Sequence, residues 1–251
     1  QPSTELAHRT PVDVVLVIDI SGSMGTIASI QAQDGSYEND GLTLLDVVKH
    51  AARTVIATLG PGDRLALVSY SSSATCLMGM TVMDKQGQLL AKQHLDSLRA
   101  GGTTNLWDGL HQGMTGLASD TQPGRPQHVM LLTDGIPNIV PNRGHLVMLQ
   151  KYRKGVTNGR LPTIHTFGFG YSLDSDLLNA LATEGGGMYS FVPDAGFVGT
   201  AFVNSISNIL STCGEHAMLN VELDGTEWTF DATLSTSRSV QVPLGLLTHG
   251  Q

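Results

Sequence analysis

The sequence lacks the features that mark membrane-spanning and nucleic-acid-binding proteins. Its 251 residues contain no apolar run of 18 or more, the length a transmembrane helix needs, and no signal-like N-terminus. There is no dense run of Lys and Arg, and the formal net charge is −8. This balance argues against nucleic acid and against an anionic membrane as the main partner.

Cysteine is scarce as well. Cys76 and Cys213 are the two cysteines, and they stand far apart in the sequence. We interpret them as two free buried thiols, with a disulfide between them as the alternative. Free thiols are typical of reducing compartments, so we expect an intracellular, cytoplasmic protein.

Motifs of several enzyme classes are also missing. A phosphatase using Asp19 as its nucleophile would need a second carboxylate two residues later, where Ser21 stands. Ser23 lacks the two flanking glycines of a nucleophile elbow, and the nine histidines show no metalloprotease spacing. Gly168-Phe169-Gly170 lacks the third glycine of a dinucleotide-binding loop, and there is no phosphate-binding loop. We therefore predict that the chain is not an enzyme.

What the sequence does contain is an alternation of apolar strands and helical patterns. Hydrophobic residues make up 41% of the chain, enough to bury a sizeable core. The predicted strands are 14–18, 64–70, 76–82, 127–132, 162–169 and 188–192, and the predicted helices are 43–59, 88–98, 106–117, 144–153, 174–183 and 197–210. The second and third strands are too close for a crossover helix, so we expect them to be antiparallel. The pattern predicts an α/β fold: a Rossmann-like, doubly wound, mostly parallel sheet with one antiparallel edge strand and helices on both faces.

The two ends of the chain depart from this alternation. We interpret residues 1–11 as a leader, 12–213 as the main domain and 214–251 as a short β extension. From Ala217 onwards apolar and polar residues alternate and no helical pattern follows, which favours strands. Whether this extension is truncated stays open. Residues 31–41 are polar and rich in turn formers, so we expect a surface loop there.

The stretch from Val12 to Met24 organises the rest. Its apolar run is typical of a strand buried on both faces, and it ends in Asp19, Ser21 and Ser23. Open α/β sheets bind ligands at the carboxyl ends of their strands. Carboxylate and hydroxyl oxygens suit hard divalent cations. The stretch therefore indicates a cation site at the carboxyl end of a central strand, which we call its upper end.

Two later loops carry the same kinds of oxygen, Thr104-Asn105 and Thr133-Asp134-Gly135. A doubly wound sheet brings such loops to one edge. Each loop alone also fits a helix cap or a turn, and only the combination favours a cation site. Two further interpretations stay open: Asp108 either supports the site or is a solvated helix residue, and 144–149 either helps to select partners or simply begins a helix.

The runs DISGS, GGTTN and TDG, in this order and between these elements, resemble the von Willebrand factor A domain with its metal-ion-dependent adhesion site. The resemblance covers residues 12–211. It implies that Mg²⁺ or Mn²⁺ is held by five residues: Asp19, Ser21, Ser23, Thr104 and Asp134. Thr103 has no counterpart in the motif. The resemblance also implies that a Glu or Asp carboxylate of a protein partner completes the metal shell.

Longer stretches narrow the resemblance. LGPGDRLALVSYSS, RPQHVMLLTDGIPN, IHTFGFG and FVGTAFVNSISNILST look like an intracellular branch of the family found with Hint, U-box or RING-type domains and a following β-rich region. We therefore expect a monomeric, metal-dependent protein-interaction module. The alternative is a structural or assembly module of a larger ubiquitin-related or self-processing protein, with metal-independent contacts.

Overall fold

Strands and helices alternate along the chain. The computed structural model describes residues 9–28, 30–31, 37–38, 41–119, 124–156, 162–193, 195–222 and 239–248. The strands in these ranges are β1 (Asp13–Asp19), β2 (Ile30–Gln31), β3 (Tyr37–Glu38), β4 (Arg64–Tyr70), β5 (Ala74–Val82), β6 (Gln127–Thr133), β7 (Thr163–Phe169), β8 (Gly186–Val192), β9 (Thr212–Glu222) and β10 (Ser239–Thr248). The helices are α1 (Leu44–Thr58), α2 (Lys85–Ser97), α3 (Leu106–Ser119), α4 (His145–Gly155), α5 (Ser175–Glu184) and α6 (Ala195–Ser211), with a short 3₁₀ helix at Gly22–Gly25.

Six of the strands form one sheet in the order β5-β4-β1-β6-β7-β8. β5 is antiparallel to β4, and every other pairing in this sheet is parallel. The predicted Rossmann-like fold class is therefore confirmed. The chain leaves β1 towards β4 on one side and leaves β6 towards β7 on the other, so the crevice for a ligand lies between β1 and β6.

Strand β1 is buried along its whole length because helices cover both faces of the sheet. Val14, Leu16 and Ile18 face a core that also contains residues of α1, α2 and α6. Val15 and Val17 face a second core, built with α3, α4 and α5. A strand buried on both faces reads as a continuous apolar run, which is why this segment shows no polar alternation.

Helix α3 lies unusually close to the sheet. A Cβ atom at Gly113 would stand 2.6 Å from Cγ2 of Val17, and one at Gly109 would stand 2.5 Å from the Tyr70 ring. Glycine is needed at both positions because any side chain would push the helix off the strands. This close packing fixes the loop that precedes α3, which carries Thr104.

Ion pairs stabilise the lower end of the sheet, the edge at which the parallel strands begin. Arg64 donates to both carboxylate oxygens of the buried Asp13 (2.9 and 2.6 Å), and Arg125 Nε donates to Oδ1 at 2.7 Å. Arg9 forms an ion pair with Asp63. Part of the predicted leader therefore contacts the domain; residues 1–8 lie outside the described residues.

The observed elements refine several predictions. Helix α2 begins three residues before the predicted start, because the Asp84 side chain caps it by accepting from the amides of Gln86 and Gly87. Within the predicted loop at 31–41, the structure describes a short antiparallel pairing of β2 with β3. The interpretation of Cys76 as buried is wrong: its free thiol is exposed, since β5 is an outer strand with a neighbour on one side only.

The segment after α6 contains the antiparallel pair β9 and β10, in line with the predicted strands. Residues 223–238 and 249–251 of the extension lie outside the described residues, as does the side chain of Cys213. Among the helices that the structure describes, none is both long enough and apolar enough to cross a membrane.

Candidate functional site

Asp19, the last residue of β1, is the buried centre of the site. Its Oδ1 accepts a hydrogen bond from the Ser21 amide at 2.8 Å. Its Oδ2 accepts from Thr133 Oγ1 at 2.6 Å and from the Tyr70 hydroxyl at 3.3 Å. Burial raises the pKa of Asp19, while these hydrogen bonds counteract the rise. The carboxylate is thus fixed in orientation by neutral donors from three elements.

The two serines after β1 connect Asp19 to the loop that follows β6. The 3₁₀ turn at Gly22–Gly25 brings Ser23 Oγ to 3.2 Å from Ser21 Oγ. Ser23 Oγ also donates a hydrogen bond to Oδ1 of Asp134 at 2.9 Å. Residues separated by more than 110 positions in the sequence are therefore in direct contact at the upper end of the sheet.

Thr104 borders the same space from the loop before α3. A Cβ atom at Gly135 would lie 3.6 Å from Ser23 Oγ and 3.8 Å from Thr104 Oγ1, so both hydroxyls adjoin this glycine. The absence of a side chain at Gly135 keeps the space between them open. The structure thus brings together all five predicted ligands, and their role as metal ligands stays a prediction.

Backbone hydrogen bonds join the loop after β1 to the loop before α3. The Gly22 amide donates to the carbonyl of Gly102 at 3.0 Å, and the Gly101 amide donates to the carbonyl of Ile20 at 2.7 Å. Gly102 has a φ of +85°, a conformation that favours glycine. The GG pair of the GGTTN run therefore fixes the position of the following threonine.

Asn138 fixes Thr104 from the other side and was not predicted from the sequence. The Thr104 amide donates to Asn138 Oδ1 at 2.8 Å, and the Asn138 and Ile139 amides donate back to the Thr104 carbonyl at 3.2 Å each. Tyr70 was not predicted either, and Thr133 was identified only as part of the TDG run and not as a residue that orients Asp19. Nothing in the local sequence shows that these side chains turn towards the site.

Asp108 supports the site indirectly. Its Oδ2 accepts a hydrogen bond at 2.6 Å from the amide of Ala74, the first residue of β5 after the turn that follows β4. The Asn105 amide donates to the carbonyl of Ser71, in that turn, at 2.8 Å. Of the two interpretations left open, the structure favours support: Asp108 holds the turn on which the Thr104 loop rests.

The site brings two carboxylates together without a basic partner. The pKa of Asp134 is raised to about 6, first by burial and then by the charge of Asp19, against a lowering contribution from the Ser23 hydrogen bond. In the described part of the chain, no recorded ion pair joins Lys or Arg to either carboxylate. Such a pair of buried like charges is stabilised by a cation.

The donor set fits a hard cation. It consists of two carboxylates and three hydroxyls, which are oxygen ligands of the kind that Mg²⁺ and Mn²⁺ accept. Within the described ranges there is no cluster of three or more His, Cys, Asp or Glu able to hold a metal. A metal at this place would therefore depend on the hydroxyls of Ser21, Ser23 and Thr104 as well as on the carboxylates.

Comparisons with known proteins give the same fold. The family described as "von Willebrand factor type A domain" matches residues 13–203. The uncharacterized protein sll0103 of Synechocystis sp. is 30% identical over 185 residues, covering 74% of this chain and 38% of that protein. The E3 ubiquitin-protein ligase WAV3 of Arabidopsis thaliana is 29% identical over 130 residues, covering 51% of this chain and 15% of the ligase.

The same fold occurs among solved structures. The von Willebrand factor type A structure from Catenulispora acidiphila matches with a TM-score of 0.70 at 20% identity, covering 96% of this chain and 55% of that one. The chain spans less than half the length of the two curated relatives.

Proposed function

This chain belongs to the von Willebrand factor type A family, and we propose that it is a protein-interaction module that binds its partner through a divalent cation. The observation that carries the proposal is the contact between Ser23 and Asp134, with Ser21 and Thr104 beside them. Three loops far apart in sequence present only hard oxygen ligands to one space. No catalytic activity is proposed for this domain.

The site residues would bind the metal as two kinds of ligand, neutral and charged. The hydroxyls of Ser21, Ser23 and Thr104 would bind it as neutral ligands. Asp19 and Asp134 would supply the negative charge, Asp19 with its orientation fixed by Thr133. A bound Mg²⁺ or Mn²⁺ supplies a positive centre that accepts a carboxylate oxygen from a Glu or Asp of the partner. Five protein oxygens, two of them charged, leave room for such an incoming ligand.

Calorimetric titration with MgCl₂ and MnCl₂ tests the proposal. We expect saturable binding to the wild type, and at least tenfold weaker binding to D134N, which keeps the side-chain shape but removes the charge, an effect of about 1.4 kcal/mol or more. Thr104→Ala should also weaken binding. Thr103→Ala is its matched control, because the exposed Thr103 hydroxyl bonds to Ser72 instead of lining the site. Equal metal affinity of T104A and T103A contradicts the ligand assignment.

The second candidate is a structural or assembly module with metal-independent contacts. The match to WAV3 favours it, because this chain covers only 15% of that ubiquitin ligase, as one module of a longer protein would. In this case the metal only stabilises the loops. Pull-downs from a lysate with and without EDTA separate the two functions, since partner binding that survives EDTA supports assembly. An intracellular location stays a prediction under either function.

A further inference from the structure

Beside the candidate metal site lies a cavity of about 410 Å³. It is an open groove lined by the loop that follows β6, the first turn of α4 and the start of α5. The residues that matter for its chemistry are Ile136, Val140, Arg143, His145, Val147 and Leu177. Residues 144–147 line it, and they belong to the 144–149 segment for which partner selection was one of the two sequence interpretations.

One wall of the cavity follows the metal site directly in the chain. Ile136 lies two residues after Asp134, so the Cα atoms of these two residues are at most about 7 Å apart. The hydrogen bonds between Asn138 and Thr104 hold this wall against the site. A ligand group in the cavity and a carboxylate at the metal therefore belong to one short segment.

Large aliphatic side chains at this cavity are unusually exposed. Ile136 is 62% exposed, Val140 56% and Val147 47%. Clustered exposed apolar side chains beside a functional site mark an interaction surface, whereas isolated ones are ordinary. The cavity therefore suits a large apolar side chain of a partner.

His145 places a buried polar atom beside the groove. It is only 6% exposed, and its Nε2 has no hydrogen-bond partner among the residues that the structure describes. Burial lowers the pKa of His145, which keeps the imidazole neutral. A buried polar atom without a partner destabilises a protein. Because Nε2 is itself closed to solvent, a polar group of the ligand reaches it only if the side chains of the groove shift on binding.

We propose that this groove binds an extended segment of the protein partner, with a large apolar side chain among Ile136, Val140 and Val147 and a backbone polar group at His145. The apolar residue stands close in sequence to the carboxylate that the metal binds. Arg143 and Asp174 both line the groove, so the metal, and not the charge of the groove, selects the acidic residue of the segment. The inference rests on the proposed function and adds which kinds of residue the bound segment of the partner carries.

Selection of random linear peptides displayed on phage, against the immobilised chain in MgCl₂, tests the proposal. We expect enrichment of peptides with an acidic residue and a large apolar residue close to it, and loss of enrichment in EDTA. Acidic peptides without an apolar preference overturn the groove and leave the metal function standing. Enrichment of apolar peptides that need neither an acidic residue nor Mg²⁺ overturns the proposal that one segment binds both the groove and the metal, and it counts against the proposed function as well. If no peptide is enriched, the groove proposal is overturned, while calorimetry still tests whether the site binds a metal.

A matched pair of variants locates the apolar contact. Val147→Asn replaces an apolar side chain at the groove by an uncharged polar one, and Val203→Asn makes the same change on α6 at a valine of similar exposure (47% and 52%). Binding of an enriched peptide, measured by fluorescence polarisation, should weaken about tenfold or more in V147N and stay unchanged in V203N. Equal affinities in the two variants overturn the groove assignment.

His145→Leu tests the polar contact separately. Leucine has a similar volume and lacks the imidazole nitrogen. We expect weaker peptide binding with a thermal midpoint that is unchanged or higher, because Nε2 has no partner to lose within the described chain. A lower midpoint with unchanged peptide affinity assigns His145 a purely structural role and overturns this part of the proposal.

Discussion

Strand β1 carries one buried carboxylate at each end, and the two are neutralised in different ways. Asp13 at the lower end forms ion pairs with Arg64 and Arg125. Asp19 at the upper end accepts hydrogen bonds only from neutral groups and stands close to a second carboxylate, Asp134. Both aspartates are fully buried, so burial alone does not separate a structural carboxylate from a functional one.

The source of the compensating charge does separate them. A buried charge needs a partner of opposite sign, and breaking such a pair is strongly destabilising. At the lower end the protein supplies that partner itself, which makes the ion-pair cluster part of the fold. At the upper end the described residues supply oriented oxygens and no basic side chain, and under the proposed function a bound cation provides the positive charge.

The largest expected effect is loss of the ion pairs at the lower end. Asp13→Asn leaves the buried Arg64 and the partly buried Arg125 beside a neutral group and should lower the free energy of unfolding by roughly 3–5 kcal/mol. Asp19→Asn in EDTA should cost only about 1 kcal/mol, since it loses hydrogen bonds but breaks no ion pair. Urea unfolding of both variants measures the difference. Equal losses in the two variants would contradict the proposal that Asp19 serves ligand binding and does not hold the fold together.

The lower half of the sheet also contains a pair of titrating groups. His128 Nδ1 lies 3.3 Å from His165 Nε2, and both rings are buried in the sheet. Burial lowers the pKa of His165 to about 4 and also lowers that of His128. The unfolded chain binds these protons near pH 6.5, while the folded chain binds one at His165 only near pH 4. Acid therefore favours unfolding between these values.

We expect the free energy of unfolding to fall as the pH is lowered from 6.5 towards 4, by up to roughly 3 kcal/mol from His165 alone. Urea unfolding across this range measures the slope, and His165→Gln should make it shallower. The stability contributed by this residue is fully present above pH 6.5. An unchanged slope in the variant would show that His165 does not contribute to the acid sensitivity.

The candidate site at the upper end could be predicted from the sequence because its residues lie in local patterns, while their role as metal ligands stays a prediction. An apolar strand that ends in Asp19-x-Ser21-x-Ser23 needs no knowledge of distant residues, and the alternation of elements places the other two loops at the same edge. The contacts that orient the ligands depend on the tertiary fold. Thr133 is separated from Asp19 by 114 positions and Tyr70 by 51, and no local pattern pairs them.

The lower end could not be predicted for the same physical reason. Arg125 reaches Asp13 across 112 positions, and in the sequence it appears as an ordinary polar residue before a strand. Cys76 was interpreted as buried because cysteine usually is, whereas its exposure is set by the place of β5 at the sheet edge. The buried ring of His145 depends likewise on the packing of α4 beside the loop after β6.

The smallest effect separates the two ends directly, because a ligand that binds only the folded state stabilises it. At a Mg²⁺ concentration ten times the dissociation constant, the free energy of unfolding should rise by about 1.4 kcal/mol in the wild type. Asp13→Asn should show the same rise with Mg²⁺, although its free energy of unfolding is lower than that of the wild type in both conditions. Its ion pairs lie at the far end of β1 from the metal site. D134N should lose it. Urea unfolding in MgCl₂ and in EDTA measures all three proteins, and an increment in D134N equal to that of the wild type would place any bound Mg²⁺ away from this site.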